Sequence, residues 1–158
     1  WVTDITEFKV MDRKFYLSPI LDLFNGEIVS YTLSKNPDFR LVTDMLQQAF
    51  HKIPDRPPLL LHSDQGWHYR MKPYRKMLKD KGIQQSMSRK GNCYDNCVIE
   101  TFFGLLKTEF FHNQSFSSHE DFQKQLAEYI HYYNNDRIRV KLKGLSPVQF
   151  RTQSFVSS

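Results

Sequence analysis

Near the start of the chain, apolar and polar residues alternate in three short runs, Ile5 to Met11, Phe15 to Leu23 and Glu27 to Leu33. Runs of this length and period predict half-buried strands. Asn25-Gly26 predicts a hairpin between the second and third, because both residue types tolerate positive φ. Pro19 within the second run predicts a bulge or an exposed edge, since proline cannot donate to a ladder. Three antiparallel strands should therefore open the fold.

The pattern then becomes helical. Leu41, Val42, Met45, Leu46, Ala49 and Phe50 recur at helical spacing, which predicts an amphipathic helix capped at Asn36-Pro37 and ending near Pro54. Arg56-Pro57-Pro58 is a stiff connector into Leu59-Leu60-Leu61, an apolar run that predicts a buried strand ending in a polar turn at Asp64. A helix leading into such a strand predicts a crossover with a parallel neighbour. Tyr69 to Lys81 predicts a second helix closed by Gly82, and Ile83 to Ser88 a short strand. Asp95 or Asn96 can cap a helix with the stripe Ile99, Phe102, Phe103, Leu106 and Phe110. Ser117 with Glu120, or Ser118 with Asp121, can open a long helix through Phe122, Leu126, Tyr129, Ile130 and Tyr133. Ser146-Pro147 starts a short terminal helix. Helical spacing assigns Phe102, Phe103, Tyr129 and Tyr133 to the core, and leaves Trp67 as the aromatic best placed to meet a nucleic acid.

Bulk properties narrow the classes. At 158 residues the chain suits one domain with a proper core, so residues 1–158 are read as a single unit. A net charge of +5 favours an anionic partner. No apolar run reaches the roughly eighteen residues needed to cross a membrane, and no signal peptide is visible. A start at Trp1 reads as a fragment of a longer protein. Cys93 and Cys97 lack a matching second pair, which argues against zinc and for a reduced, cytoplasmic setting.

The chemistry gathers on acids. Asp64 closes the Leu59–Leu61 run, thirty-five residues separate it from Glu100 on a predicted helix, and Asp4 lies in strand-like surroundings. Carboxylates converging from separate elements are what a hard divalent cation requires. WVTDIT around Asp4, HSDQGWHY around Asp64, SRKGNCYDNCVIETFF around Glu100 and the terminal YYNNDRIRVKLKGLSPVQF resemble the catalytic core of insertion-sequence transposases of the D,D(35)E type, which are related to retroviral integrases. The resemblance implies an α/β, ribonuclease-H-like mixed sheet of about five strands flanked by helices. It implies Asp4, Asp64 and Glu100 as catalytic residues and ligands of two Mg²⁺ (or Mn²⁺) ions, cutting and joining DNA in the bacterial cytoplasm. The partners implied are transposon ends, target DNA and further copies of the chain, with a DNA-recognition domain upstream. A metal-dependent nuclease of the same fold and an inactive DNA-binding module are the alternatives.

Other positions divide between chemistry and structure. Arg89, Lys90 and Asn92 precede the Glu100 helix and are placed to grip DNA. Lys107 lies seven positions beyond Glu100, on the same face of a regular helix, and the family carries a basic residue at this offset. Lys72, Arg75, Lys76, Lys79 and Lys81 form a basic run suited to phosphates, as do Arg137, Arg139, Lys141 and Lys143. A histidine common in the family near Arg139 is missing here. His62 shares a strand face with Asp64 and either touches the site or makes structural hydrogen bonds. Gln65 and Gly66 read as turn residues that let backbone approach a phosphate. Among the remaining acids, Asp22 fits a turn, Asp95 a cap, and Glu109 faces away from Glu100; Asp12 is a fourth competitor.

Overall fold

A computed structural model describes residues 1–89 and 96–156, with side chains through residue 153. Six strands form one mixed sheet: β1 (Val2–Thr3), β2 (Thr6–Val10), β3 (Arg13–Leu21), β4 (Ile28–Ser34), β5 (Leu60–Ser63) and β6 (Gln84–Met87). β3 pairs antiparallel with β1, β2 and β4, while β5 runs parallel to both β1 and β6. The helices are α1 (Arg40–Phe50), α2 (Trp67–Arg70), α3 (Lys72–Lys81), α4 (Cys97–Leu105), α5 (His119–Asn135) and α6 (Pro147–Val156). Among the described residues no helix is long and apolar enough to cross a membrane.

The predicted first strand is two strands on one line. Thr3 pairs with Ile20 and Thr6 with Leu17, so the register is continuous and Asp4 falls opposite Pro19. The Pro19 carbonyl faces this line and accepts the Thr3 hydroxyl at 2.8 Å, so its missing N–H faces the same gap. The line therefore breaks at Asp4-Ile5, where the ladder has no donor. β3 is internal, which corrects the exposed-edge expectation. The expected bulge lies one residue on, where the β3–β4 register shifts between Ile20 and Leu21.

Alternation along the strands supplies two cores. Phe8, Phe15, Leu17 and Leu21 pack with Ile99, Phe102, Phe122 and Leu126 on one face. Ile20, Val29 and Leu61 pack with Val42, Met45, Tyr74 and Leu78 on the other. Phe102, Phe103 and Tyr133 are buried and Tyr129 is partly so, as the spacing predicts, whereas Tyr132 is exposed. Within the first core Phe122 touches the rings of Phe8, Phe15 and Phe110.

Local chemistry revises several helix ends. The segment expected as one helix from Tyr69 is broken at Met71, whose ψ is 139°. Pro73 cannot donate back to the Tyr69 carbonyl, which instead accepts the Gln85 amide at 2.7 Å. α1 begins at Arg40 rather than at Asn36, whose N–H goes to the Ser34 hydroxyl at 3.2 Å. α4 passes into a π-helical stretch over Leu106–Phe111, which the apolar spacing does not predict. Ser118 caps α5 by accepting the Asp121 N–H at 3.0 Å, and Asp121 accepts the Ser117 N–H at 2.9 Å in return. Ser118→Ala should cost about 1 kcal/mol, read as a lower urea midpoint with unchanged slope. Ser146 and Gln149 form a full capping box at α6. Asp95, the other candidate cap for α4, lies outside the described residues; Asn96 occupies the N-cap without a side-chain bond.

Candidate active site

Sheet pairing brings two of the acids together. Val2 pairs with His62 in parallel register, and two residues further along each chain come Asp4 and Asp64. Both sit where strand gives way to turn, half-buried at one end of the sheet. Each carboxylate is oriented by backbone: Asp4 Oδ1 accepts the Ile5 N–H and Asp64 Oδ1 the Gly66 N–H, both at 2.8 Å. Gly66 is required for space and not for φ, which is −55°. A Cβ there would stand 2.9 Å from Asp64 Oδ1 and 3.4 Å from the Tyr69 ring.

Glu100 is exposed in the first turn of α4, while Ile99, Phe102 and Phe103 of the same helix are buried in the core. Its charge reaches Asp4. Burial pushes Asp4 up to about 6; the Ile5 hydrogen bond opposes this, and the charges of Asp64 and Glu100 add to the rise. A half-buried carboxylate with two further acids within charge range is a setting that a cation would relieve, and oxygen-only donors suit Mg²⁺ or Mn²⁺. Among the described residues, however, no three His, Cys, Asp or Glu side chains already stand close enough to hold an ion. Asp4 and Asp64 converge; Glu100 stands within charge range on a separate element.

The supporting residues have definite partners. His62 spends both ring nitrogens on β6 and its continuation, at 2.8 Å from the Ser86 hydroxyl and 2.9 Å from that of Ser88. These bonds give it a structural role two residues before Asp64. Gln65 donates to the Ser88 carbonyl at 3.1 Å. His62 and Gln65 thus tie the Asp64 turn to the strand that leads toward Glu100. Trp67 is 53% exposed and stacks on His68, whose Nε2 meets the Pro37 carbonyl at 2.8 Å.

The basic residues separate into two groups. Lys72, Arg75, Lys76 and Lys79 are exposed along α3, and Arg89 is exposed beyond β6. Lys90 and Asn92 lie outside the described residues, as do Gly91 and Cys93. Lys81 is held by Asp55 at 2.9 Å and by the Ile53 carbonyl. Lys107 lies over the Phe8 ring, 5.7 Å from its centroid, and Phe8 is four residues along the strand line from Asp4. That offset is about 13 Å along the strand line. Arg137 is bound to Glu109, with Nε at 2.9 and 3.2 Å, and Tyr129 donates to the same carboxylate at 2.7 Å. These bonds, Arg137 first, hold Glu109 below the ordinary carboxylate range. Arg139 packs on Gly26, whose φ of +80° no side chain would share comfortably. Arg137 and Arg139 therefore face protein in this structure. Arg70, which the sequence reading passed over, belongs with the exposed group; the break before Pro73 is the signal that sets it apart from α3.

Residues 1–93 match a family model described as an integrase core domain, and residues 100–155 match a second model of the same description. The chain is 54% identical over 156 residues to InsK of insertion sequence element IS150 from Escherichia coli, which is named as a transposase. It is 55% identical over 154 residues to a transposase-like protein of Haemophilus influenzae. These alignments cover 99% and 98% of this chain, which spans 55% and 71% of those relatives' own lengths. Among solved structures, the catalytic core domain of HTLV-2 integrase in complex with magnesium superimposes with a TM-score of 0.74 at 16% identity, over 95% of this chain and 93% of that one. At that identity the likeness is one of fold.

Proposed function

We propose a function from one premise: the chain belongs to the integrase core family, with insertion-sequence transposases among its relatives. It is the catalytic core of a DNA transposase that cuts at transposon ends and joins the freed ends to target DNA. The observation that carries this reading is the parallel register that sets Asp4 level with Asp64, within charge range of Glu100. Asp4, Asp64 and Glu100 are proposed as catalytic residues and as ligands of two Mg²⁺ or Mn²⁺ ions. When bound, the ions supply activation of the attacking oxygen and stabilisation of the leaving one.

The chain's own part is positioning. The Ile5 and Gly66 amides fix one oxygen of each aspartate, leaving Oδ2 of both without protein hydrogen bonds among the described residues. The Gln65 and His62 bonds to Ser88 steady the turn around Asp64. In the first step water attacks a phosphodiester at the transposon end, leaving a 3′-hydroxyl and a 5′-phosphate. In the second, that 3′-hydroxyl attacks a target phosphodiester, forming one bond and releasing a target 3′-hydroxyl. Each is a phosphoryl transfer that needs placement and charge stabilisation and no protein nucleophile. Arg89, Lys90, Asn92, Lys72, Arg75 and Lys76 are proposed to hold DNA, with further copies of the chain and an upstream recognition domain completing the assembly in the bacterial cytoplasm.

A nuclease of the same fold would cut without joining. Incubating labelled element-end DNA with a target duplex and Mn²⁺ separates the readings: a joined product is expected, whereas cleavage alone would replace transposase with nuclease.

A further inference from the structure

A groove runs from the active-site end of the sheet along its edge. β6 is the edge strand, and its last residue, Met87, pairs with Ser63, the neighbour of Asp64. Beside it lie two clefts of about 500 and 490 Å³ that share Arg75 and Gln85. The nearer is lined by Arg70, Arg75, Gln85 and Met87. The farther continues past Lys72, Lys76 and Lys79 over a floor of Leu78 and Ile83. None of the described lining residues is acidic.

The helix supplies the pattern. Lys72, Arg75, Lys76 and Lys79 stand at i, i+3, i+4 and i+7, so α3 turns one basic stripe outward while Tyr74 and Leu78 are buried. The stripe is largely uncommitted. Lys76 bonds Asp80 at 2.7 Å, but both side chains are well exposed, at 75% and 62%, and such a pair is easily exchanged for a phosphate. Lys81, in the last turn, is turned aside to Asp55.

We infer that this groove is a track for the sugar-phosphate backbone of a DNA strand leaving the acidic site, gripped without regard to sequence. The inference rests on the transposase reading and names the route of its substrate. An anionic polymer is the partner the charge selects, and the track begins beside Asp64, where a phosphodiester must lie for that reading to hold. From Lys72 to Lys79 the stripe is about 10 Å long, enough for two or three phosphates of one strand. The groove presents ammonium and guanidinium groups, which position a duplex without reading it.

The test uses this chain in EDTA, with a labelled random-sequence DNA duplex followed by fluorescence anisotropy over a salt series. Arg75→Glu/Lys79→Glu should weaken binding more than about tenfold and flatten the dependence of log affinity on log salt by about 2. The charge-matched control Lys9→Glu/Arg13→Glu, on the exposed β2–β3 hairpin, should lose far less. All four side chains are exposed, so unchanged thermal unfolding is expected. Equal loss in both double variants would overturn the track, because net charge alone would then explain binding. Tighter capture of polyglutamate than of DNA, lost with Arg75 and Lys79, would overturn it in favour of an acidic protein partner. Asp64→Asn separates the premise: it should bind DNA as the parent does. If it also still cleaves once Mn²⁺ replaces EDTA, the transposase reading fails whatever the groove does; if it is inactive there while the parent cleaves, and the double variant binds normally, only the track fails.

Discussion

Asp64→Asn should leave the chain folded and bound to DNA while lowering both cleavage and joining on the order of 10³-fold or more. The replacement is nearly isosteric, and the amide oxygen can still accept the Gly66 N–H that orients the carboxylate now. Tyr69, packed under this turn, keeps its place because no volume changes. What changes is the second oxygen, where a negatively charged acceptor becomes an N–H donor pointed into the site. Two consequences follow for measurement. Thermal unfolding without metal should match the parent closely, and single-turnover assays of cutting and of joining from a pre-cut end should fall together. Joining retained within tenfold of the parent would remove Asp64 from the chemistry, and with it the proposed mechanism.

The main features of this site could be read because they are local in sequence. An apolar run ending in a polar turn announced the strand that delivers Asp64, and the helix stripe at Ile99, Phe102 and Phe103 announced which face of α4 is buried. The order of those runs matched the mixed, helix-flanked sheet that the family resemblance implies, while the strand pairing itself did not follow from the pattern. What stayed hidden depends on pairing between distant residues. That Asp4 would sit in a strand break follows from Pro19 lying opposite it, which only the β1–β3 register reveals. Arg137 read as a DNA contact because its partner, Glu109, is 28 residues away on the other side of a turn. Lys107 was placed by counting regular helical turns, and the helix changes to a π-helical stretch one residue before it. The two serines that His62 bonds sit on β6 and beyond, more than twenty residues on. Local pattern gave elements and acids, while partners required the fold.

Asp4→Asn should make the metal-free chain more stable and inactive at once. Burial, with the charges of Asp64 and Glu100 behind it, holds the Asp4 carboxyl at about 6, against an ordinary 3.8. Between those values the folded chain keeps a proton that the unfolded chain has released, so raising the pH through this window costs stability. The penalty is absent below about pH 4 and complete above about pH 6. Allowing for the partial exposure of the group, it amounts to about 1–2 kcal/mol. Asparagine cannot ionise, yet it keeps an oxygen for the Ile5 N–H. Urea unfolding in EDTA should therefore show the variant about 1–2 kcal/mol more stable than the parent at pH 7.5 and equal to it near pH 4. Adding Mn²⁺ at pH 7.5 should raise the parent's melting temperature and leave that of the variant nearly unchanged, since a bound cation stabilises only the state that binds it. Equal stability of the two chains at both pH values would mean that neither burial nor the neighbouring charges burden the Asp4 carboxylate, and the argument for a cation there would fall. If the difference appears and Mn²⁺ abolishes it, the cost of ionising Asp4, set by its burial and by the charges of Asp64 and Glu100, is what the ion relieves.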